Sequence, residues 1–242
     1  MNDIQAVLFD LGNTLSKSAS LSGSIENLTD TLVAQKLNLG RGQLSRIGVE
    51  IDQYIRNLYR EDRLDQPDWR RVWAHGAKNA GMNISPDKVE LLCRAHLTEF
   101  AKNCELELYS IPLLVSIQGT DTPLGLVSNV TGPVDIFERD LSEKGLARFF
   151  SVVVWSADVG CRKPNPRVFE IALEGLKLKP GKQIVMVGDN EKADIIGGKE
   201  MGFTTVKVDD SREKTESVAD YVVLRSELQE LFEDKLIKRG AI

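Results

Sequence analysis

The sequence has few of the residues that build metal centres and disulfide scaffolds. Its 242 residues include two histidines and three cysteines, Cys93, Cys104 and Cys161, with no Cys-x-x-Cys pair. The cysteine spacings match no zinc motif, and an odd number of thiols is not a disulfide framework. We therefore expect free or buried thiols in a reducing compartment, and we predict a cytoplasmic protein.

The chain also lacks a long apolar run and an excess of basic charge. No stretch approaches the roughly 18 apolar residues of a membrane-spanning helix, and the first apolar run is too short for a signal peptide. Lysine and arginine number 31 against 36 acidic residues, a formal net charge of -5. Nucleic-acid binding needs a basic patch, so we expect neither a nucleic-acid partner nor a membrane.

What the chain does have is six short apolar runs rich in valine, isoleucine and leucine. They cover residues 6–10, 124–129, 150–158, 184–190, 204–210 and 220–224. Continuous runs of this kind are typical of strands buried on both faces of a parallel sheet. Helical patterns follow four of the runs, at 132–146, 165–178, 192–202 and 226–236. Alternating strands and helices predict an α/β fold with a doubly wound, Rossmann-like parallel sheet.

A helical segment interrupts this alternation after the first strand. Between about Ser16 and Asn103 no strand is evident, and helices are predicted over 22–38, 42–60, 67–80 and 86–102. The last of these begins with a serine N-cap followed by proline, a common helix start. We therefore predict a helical domain at 17–103, inserted into an α/β core formed by 1–16 and 104–242.

Polar side chains stand where four of the predicted strands end. They are Asp10 after the first run, Ser128 and Asn129 after the second, Lys163 after the third, and Asp189 with Asp194 after the fourth. Ligands of an open parallel sheet bind beyond the carboxyl ends of its strands, so these groups should converge on one crevice. Three carboxylates at this density indicate a hard divalent cation, most plausibly magnesium.

The same groups suit phosphoryl transfer. A carboxylate such as Asp10 can attack phosphorus and form an aspartyl-phosphate. Ser128 can donate a hydrogen bond to a phosphate oxygen, and the ammonium of Lys163 can neutralise the charges of the nucleophile and the phosphate together. Each residue alone has a plainer explanation, since Asp10 could be a turn residue, Ser128 an N-cap and Lys163 a solvated loop lysine. Their common location at strand ends favours the chemical interpretation.

Four segments, FDLGNTL, LVSN, KPNPRVFEIAL and VGDNEKAD, resemble in order and position the motifs of the haloacid dehalogenase-like hydrolase superfamily. The inserted helical segment resembles the α-helical cap of that superfamily. The resemblance implies that Asp10 is the nucleophile and a metal ligand. It further implies that the backbone carbonyl of Gly12 and the carboxylates of Asp189 and Asp194 support the metal.

The resemblance also assigns the substrate side of the site. Ser128, with the adjacent Asn129, matches the phosphate-binding position. Lys163 matches the lysine that orients the nucleophile and the phosphoryl group, and Thr14 matches the threonine that closes the first loop. A small phosphorylated metabolite is the implied substrate, and we expect a monomer or homodimer.

Gly12 departs from the pattern of the superfamily's phosphatases. These usually carry aspartate there, which protonates the leaving alcohol and then activates water. Loss of such a group typically costs on the order of 10²–10⁴-fold in rate. Glycine leaves a backbone carbonyl for metal but no proton donor.

Three hypotheses follow from this departure. In the first, the protein is a phosphatase that relies on water, on an easily lost leaving group or on an acid of the helical segment. In the second, it is a metal-independent 2-haloacid dehalogenase. In the third, it is a catalytically weakened protein that binds a phosphorylated ligand. The candidate acids are Glu61, Asp62, Asp65 and Asp68. Because the acids of the fourth motif are retained, we favour a magnesium-dependent hydrolase of small phosphate monoesters.

Four aromatic or imidazole side chains of the helical segment also attract notice. His75 and His96 have no second histidine or cysteine at ligand spacing, so we expect packing or surface roles. Trp69 and Trp73 are four residues apart and share a helix face. We expect that face to pack within the segment, with a place beside the substrate as the alternative.

Overall fold

The computed structural model of the chain describes residues 4–61, 63–210 and 216–236. Its strands are β1 (Ala6–Phe9), β2 (Ser16–Lys17), β3 (Glu105–Leu106), β4 (Leu124–Ser128), β5 (Val152–Trp155), β6 (Ile184–Gly188), β7 (Thr204–Val208) and β8 (Tyr221–Val223). Six of them form one sheet in the order β5-β4-β1-β6-β7-β8, with every pairing parallel. The predicted α/β fold with a Rossmann-like parallel sheet is confirmed.

Helices flank this sheet and fill the segment between β2 and β3. The α-helices are α1 (Leu21–Glu26), α2 (Leu32–Leu37), α3 (Arg41–Arg60), α4 (Trp69–Asn79), α5 (Pro86–Asn103), α6 (Ser110–Gln118), α7 (Val134–Glu143), α8 (Ser156–Val159), α9 (Pro166–Leu176), α10 (Gly197–Glu200) and α11 (Leu228–Leu231). Short 3₁₀ turns span Ala147–Phe149 and Arg225–Glu227, and π-helical turns span Glu191–Ile196 and Phe232–Leu236. In the described parts of the chain, no helix is long and apolar enough to cross a bilayer.

Strand β1 lies in the middle of the sheet, and its burial explains its sequence. All four of its side chains are fully buried. Ala6 and Leu8 pack in the apolar cluster on one face, and Val7 and Phe9 pack in the cluster on the other. Successive side chains of a strand point to opposite faces, so a strand covered on both faces reads as one continuous apolar run. The residue after β1 is therefore delivered to the centre of the sheet's carboxyl edge.

The helical segment differs from the prediction at its start. The helix predicted over 22–38 is wrong, because α1 and α2 are separate helices with their own N-caps. Ser20 Oγ accepts a hydrogen bond from Gly23 N at 3.0 Å, and Thr31 Oγ1 accepts one from Ala34 N at 3.3 Å. The second cap begins a new helix within the predicted span. The other three predicted helices are confirmed as α3, α4 and α5.

A short ribbon joins the two connections between the helical segment and the sheet. Strands β2 and β3 pair antiparallel, with Ser16 opposite Leu106 and Lys17 opposite Glu105. The expectation of no strand from Ser16 onward is therefore wrong at that residue. Helix α6, which follows the ribbon, was also not predicted. The division into a domain at 17–103 and a core remains a prediction.

The free thiols, the two histidines and Trp73 are found as expected. All three cysteines are free. His96 is buried, accepting a hydrogen bond at Nδ1 from Trp73 Nε1 at 3.2 Å and lying with Nε2 2.5 Å from Leu21 O. His75 contacts the side chain of Asn79. These are packing contacts within the helical segment.

Candidate active site

The residues predicted at strand ends do converge. Asp10 follows β1, Ser128 is the last residue of β4, and Asp189 follows β6. A cavity of about 310 Å³ opens at this edge of the sheet. Its wall includes Asp10, Gly12, Ser128, Asn129, Lys163, Asp189 and Asp194. Sequence reasoning therefore located one crevice from segments more than 150 residues apart.

A buried ion triad forms the floor of this cavity. Lys163 Nζ donates to Asp10 Oδ1 at 2.7 Å and to Asp194 Oδ1 at 2.6 Å. The lysine is 3% exposed, and Asp194 is 1% exposed. The second oxygen of Asp194 accepts a hydrogen bond from Asn190 N at 3.0 Å. One ammonium thus holds both carboxylates in fixed positions.

The charges of the triad follow from this geometry. Burial alone would lower the pKa of Lys163, but the attraction of Asp10 and Asp194 outweighs burial and raises that pKa above its usual value. Burial raises the pKa of Asp194, and the neighbouring ammonium opposes that rise. The lysine is therefore positively charged at neutral pH.

Asp189 is the acid of this group that Lys163 does not contact. Burial, together with repulsion from Asp10 and Asp194, raises the pKa of Asp189 to about 7. A raised carboxyl pKa in a cleft is characteristic of sites that bind a cation or move a proton. Any cation bound beside Asp189 would favour its ionised form.

The three carboxylates fit a divalent cation. Asp10, Asp189 and Asp194 each offer an oxygen, and these oxygens lie within 4.8 Å of one another. Three carboxylates against the one ammonium of Lys163 leave a formal charge of -2, which a divalent ion would balance. Oxygen ligands of this kind suit magnesium, which also keeps waters and binds substrate phosphate.

Asn129 holds the backbone of the lysine. Its Oδ1 accepts a hydrogen bond from Lys163 N at 2.8 Å, and its Nδ2 donates to Lys163 O at 3.2 Å. Both halves of the amide are therefore occupied by the segment that carries the ammonium. Asn129 also lines the cavity, and its predicted contact with substrate remains a prediction.

Thr14 lies behind the nucleophile candidate. Its hydroxyl donates to Asp10 Oδ2 at 3.3 Å, and the residue is fully buried. The described residues that line the cavity do not include Thr14. The structure thus places the Thr14 hydroxyl against Asp10, where it orients the carboxylate, and its predicted contact with substrate remains a prediction.

Two anchors of the first loop were missed by sequence reasoning. Tyr109 Oη donates to Thr14 O, and Arg225 Nη2 donates to Asn13 O at 2.5 Å. Arg225 also forms an ion pair with Glu107 at 3.3 Å. These residues lie far from the loop in sequence and belong to no motif, so no local pattern could have found them.

Ser18 occupies the space that a side chain at position 12 would need. A Cβ added to Gly12 would stand 2.8 Å from Ser18 Oγ. The backbone of Gly12 is not left-handed, so its conformation does not require glycine. Ser18 also lines the cavity. A hydroxyl thus stands close to where the superfamily's proton donor would begin.

Three of the four acids proposed from the helical segment lie outside the described lining of this cavity. Glu61, Asp65 and Asp68 are not among the described residues that line the cavity. Asp65 pairs with Arg63, and Asp68 caps α4. Asp62 lies outside the described residues. The remaining acid that does line the cavity is Asp140 of α7, which sequence reasoning did not single out.

Fold and site together define an α/β protein whose polar groups meet beyond the carboxyl ends of parallel strands. The family model for haloacid dehalogenase-like hydrolases matches residues 7–208, and the chain belongs to that family. The resemblance read from the four motifs is confirmed.

Several relatives of the chain are phosphatases. Glyceraldehyde 3-phosphate phosphatase from Pyrococcus furiosus is 37% identical, over 96% of this chain and 93% of its own length. Pyrimidine 5′-nucleotidase YjjG from Escherichia coli is 30% identical, over 57% of this chain and 59% of its own length. That second alignment spans less than two thirds of the relative.

The chain is also similar to a solved structure over nearly its whole length. The crystal structure of a phosphatase of this family from Thermococcus onnurineus superposes with a TM-score of 0.68 at 26% identity. The match covers 96% of this chain and all of that one. It supports the fold described above and the assignment to the family.

Proposed function

We propose that the protein is a magnesium-dependent hydrolase of small phosphate monoesters that works through an aspartyl-phosphate on Asp10. The observation that carries the proposal is the buried ion triad of Asp10, Lys163 and Asp194, with Asp189 beside it. A plain ion pair would neutralise its charges, whereas this cluster keeps a negative excess at the floor of a cavity. Phosphatase relatives support the same class of reaction.

The first step would form the intermediate. An oxygen of Asp10 bonds to phosphorus while the bond from phosphorus to the leaving oxygen breaks. The leaving oxygen keeps that electron pair and takes a proton from water. Lys163, 2.7 Å from Asp10 Oδ1, fixes the direction of the carboxylate, and the Ser128 hydroxyl on the cavity wall would donate to a phosphoryl oxygen.

The second step would release phosphate. Water attacks the phosphorus of the aspartyl-phosphate, the bond to the Asp10 oxygen breaks, and the carboxylate is regenerated. The attacking water gives up one proton to the solvent, which replaces the proton that the leaving oxygen took in the first step. Magnesium bound by Asp10, Asp189, Asp194 and the Gly12 carbonyl would supply positive charge next to the phosphoryl oxygens. The rest of the rate enhancement would come from the fixed positions of Lys163 and Ser128.

The test is hydrolysis of p-nitrophenyl phosphate with magnesium and with a chelator. Nitrophenolate leaves without protonation, so Gly12 should limit this substrate least. We expect magnesium-dependent turnover that Asp10→Asn reduces by at least about 10³-fold. Asp158→Asn, the same chemical change at an exposed position of α8, is the matched control and should keep wild-type turnover.

Other outcomes would select the other hypotheses. Equal turnover by Asp10→Asn would contradict the mechanism. Absence of turnover on any phosphate ester would favour a ligand-binding protein. Chelator-insensitive halide release from 2-chloropropionate would favour a dehalogenase, which does not need a proton donor at position 12. A cytoplasmic location and a monomeric or homodimeric state are further parts of the proposal.

A further inference from the structure

We propose that Asp140 selects the alcohol part of the substrate, favouring phosphate monoesters that carry a hydroxyl or ammonium group over those that carry a carboxylate. The inference rests on the proposed function and names its substrate class. It assigns Asp140 as a specificity-determining residue of the same cavity.

The cavity has two chemically different parts. The part beyond the strand ends carries Asp10, Lys163, Asp189 and Asp194, which would hold the phosphoryl group and the metal. A second set of lining residues belongs to the end of the helical segment and to α7, and its members are Phe100, Ala101, Cys104, Phe137 and Asp140. Asp140 is the one charged side chain of this second part among the described lining residues.

Charge placement limits what the alcohol part can be. Lys163 is the cation among the described lining residues, and it already contacts two carboxylates. A ligand with its phosphate at Asp10 would therefore meet no further cation among the described lining residues, and Lys144 outside that lining is already paired with Asp140. A carboxylate on the alcohol part would face Asp140 and two aromatic side chains.

Asp140 is held rigidly and keeps acceptor capacity. Lys144 Nζ lies 2.6 Å from each carboxylate oxygen, and it also donates to Ala101 O at 2.9 Å. Lys144 itself is not among the described lining residues. An ionised carboxylate has about four acceptor positions, so the two oxygens can still accept from a ligand. Because the side chain is already ordered, little entropy is lost when it binds.

The ionised carboxylate discriminates in both directions. It accepts hydrogen bonds and donates none, so it binds hydroxyl and ammonium groups and repels carboxylates. A site built to hydrogen-bond a substrate group rejects analogues that lack it, and repulsion adds to that rejection. The favoured class is therefore monophosphates of small polyols or amino alcohols.

The experiment compares two substrates that differ in one group. 2-Hydroxyethyl phosphate and 2-phosphoglycolate carry a hydroxymethyl group and a carboxylate at the same place. Wild-type protein with magnesium should show a higher kcat/KM for the first. Asp140→Asn, which keeps the shape and removes the charge, should lower the ratio of the two kcat/KM values by about 10-fold or more.

Two further variants separate specificity from stability. Glu138→Gln removes an exposed charge from the same helix and should leave the ratio at its wild-type value. Lys144→Met keeps the carboxylate but removes its compensating charge, so the ratio should rise. If the ratio falls in Lys144→Met as it does in Asp140→Asn, the effect comes from loss of the ion pair, and the inference is overturned.

The outcomes also separate this inference from the proposed function. An enzyme that hydrolyses p-nitrophenyl phosphate but has the same ratio with and without Asp140 would overturn only the specificity assignment. A protein without phosphatase activity on any ester would overturn the proposed function. In that case, binding of 2-hydroxyethyl phosphate measured by calorimetry would still test Asp140, because loss of affinity in Asp140→Asn alone would support it and unchanged affinity would overturn it.

Discussion

Replacing Gly12 by aspartate should raise turnover of esters whose alcohol leaves poorly. The variant would add the proton donor that the sequence lacks, two residues after the proposed nucleophile. A positioned general acid contributes typically about 10²–10⁴-fold. The backbone at Gly12 is not left-handed, so an aspartate there would not strain the backbone.

The gain should depend on Ser18. The new Cβ would stand 2.8 Å from Ser18 Oγ, closer than carbon and oxygen normally approach, so the serine must rotate about χ1. Crowding against the serine can hold the new carboxylate off its preferred rotamer, at a cost of about 0.5–1.5 kcal/mol. Where that cost is met only when the carboxyl group reaches the leaving oxygen, 1.4 kcal/mol corresponds to about tenfold in rate. We therefore expect the increase in kcat for Gly12→Asp alone to be up to about tenfold smaller than the increase for the double variant Gly12→Asp with Ser18→Ala.

The assay compares kcat for 2-hydroxyethyl phosphate with kcat for p-nitrophenyl phosphate. The gain should be large for the alkyl ester and small for the aryl ester, since nitrophenolate leaves without a proton. Ser18→Ala alone is the control for the loss of the hydroxyl. An equal gain on both esters, or none on either in a folded double variant, would refute the reasoning.

Three other perturbations test the supporting structure. Lys163→Met leaves two carboxylates in a buried site without their ammonium, so the metal-free protein should lose about 3–5 kcal/mol of unfolding free energy in urea titrations; unchanged stability would contradict the triad. Arg225→Ala frees the carbonyl of Asn13, so kcat should fall several-fold while Arg225→Lys falls less; a wild-type kcat in both would show that the loop needs no such anchor. Burial lowers the pKa of His96 to about 4 from an unfolded value near 6.5. The unfolded chain therefore binds the proton first, and stability should fall by about 3 kcal/mol as the pH drops from 6.5 to 4; His96→Gln should remove that part of the slope.

The predictable parts of the fold are those in which the local sequence pattern agrees with the burial of the residues. Strand β1 reads as a continuous apolar run because both its faces are covered, and the same holds for β4 and β6. The ribbon of β2 and β3 was not predictable, because two residues per strand show no periodicity. The break between α1 and α2 depends on a cap at Thr31, and a threonine inside a helical pattern is an ambiguous signal.

The residues of the site also divide into those that the sequence predicts and those that only the structure shows. Asp10, Ser128 and Asp189 lie at or directly after strand ends, so topology alone brings them together. Arg225 and Asn13 are 212 residues apart, and no short pattern encodes their contact. Asp140 has a lysine four residues later, a spacing typical of an exposed ion pair. Only the structure shows that this pair borders the cavity.

Gly12 and Asp140 both bear on the departure of the leaving alcohol. Without a proton donor at position 12, departure of the leaving oxygen should control the rate, so kcat should rise as the alcohol becomes more acidic. Binding energy from a remote part of the substrate can lower that barrier if it holds the ester in the reactive orientation. A hydroxyl bound to Asp140 would supply such energy at the leaving group. Asp140→Asn should therefore lower kcat as well as kcat/KM for hydroxyl-bearing esters, which a contact that served binding alone would not do.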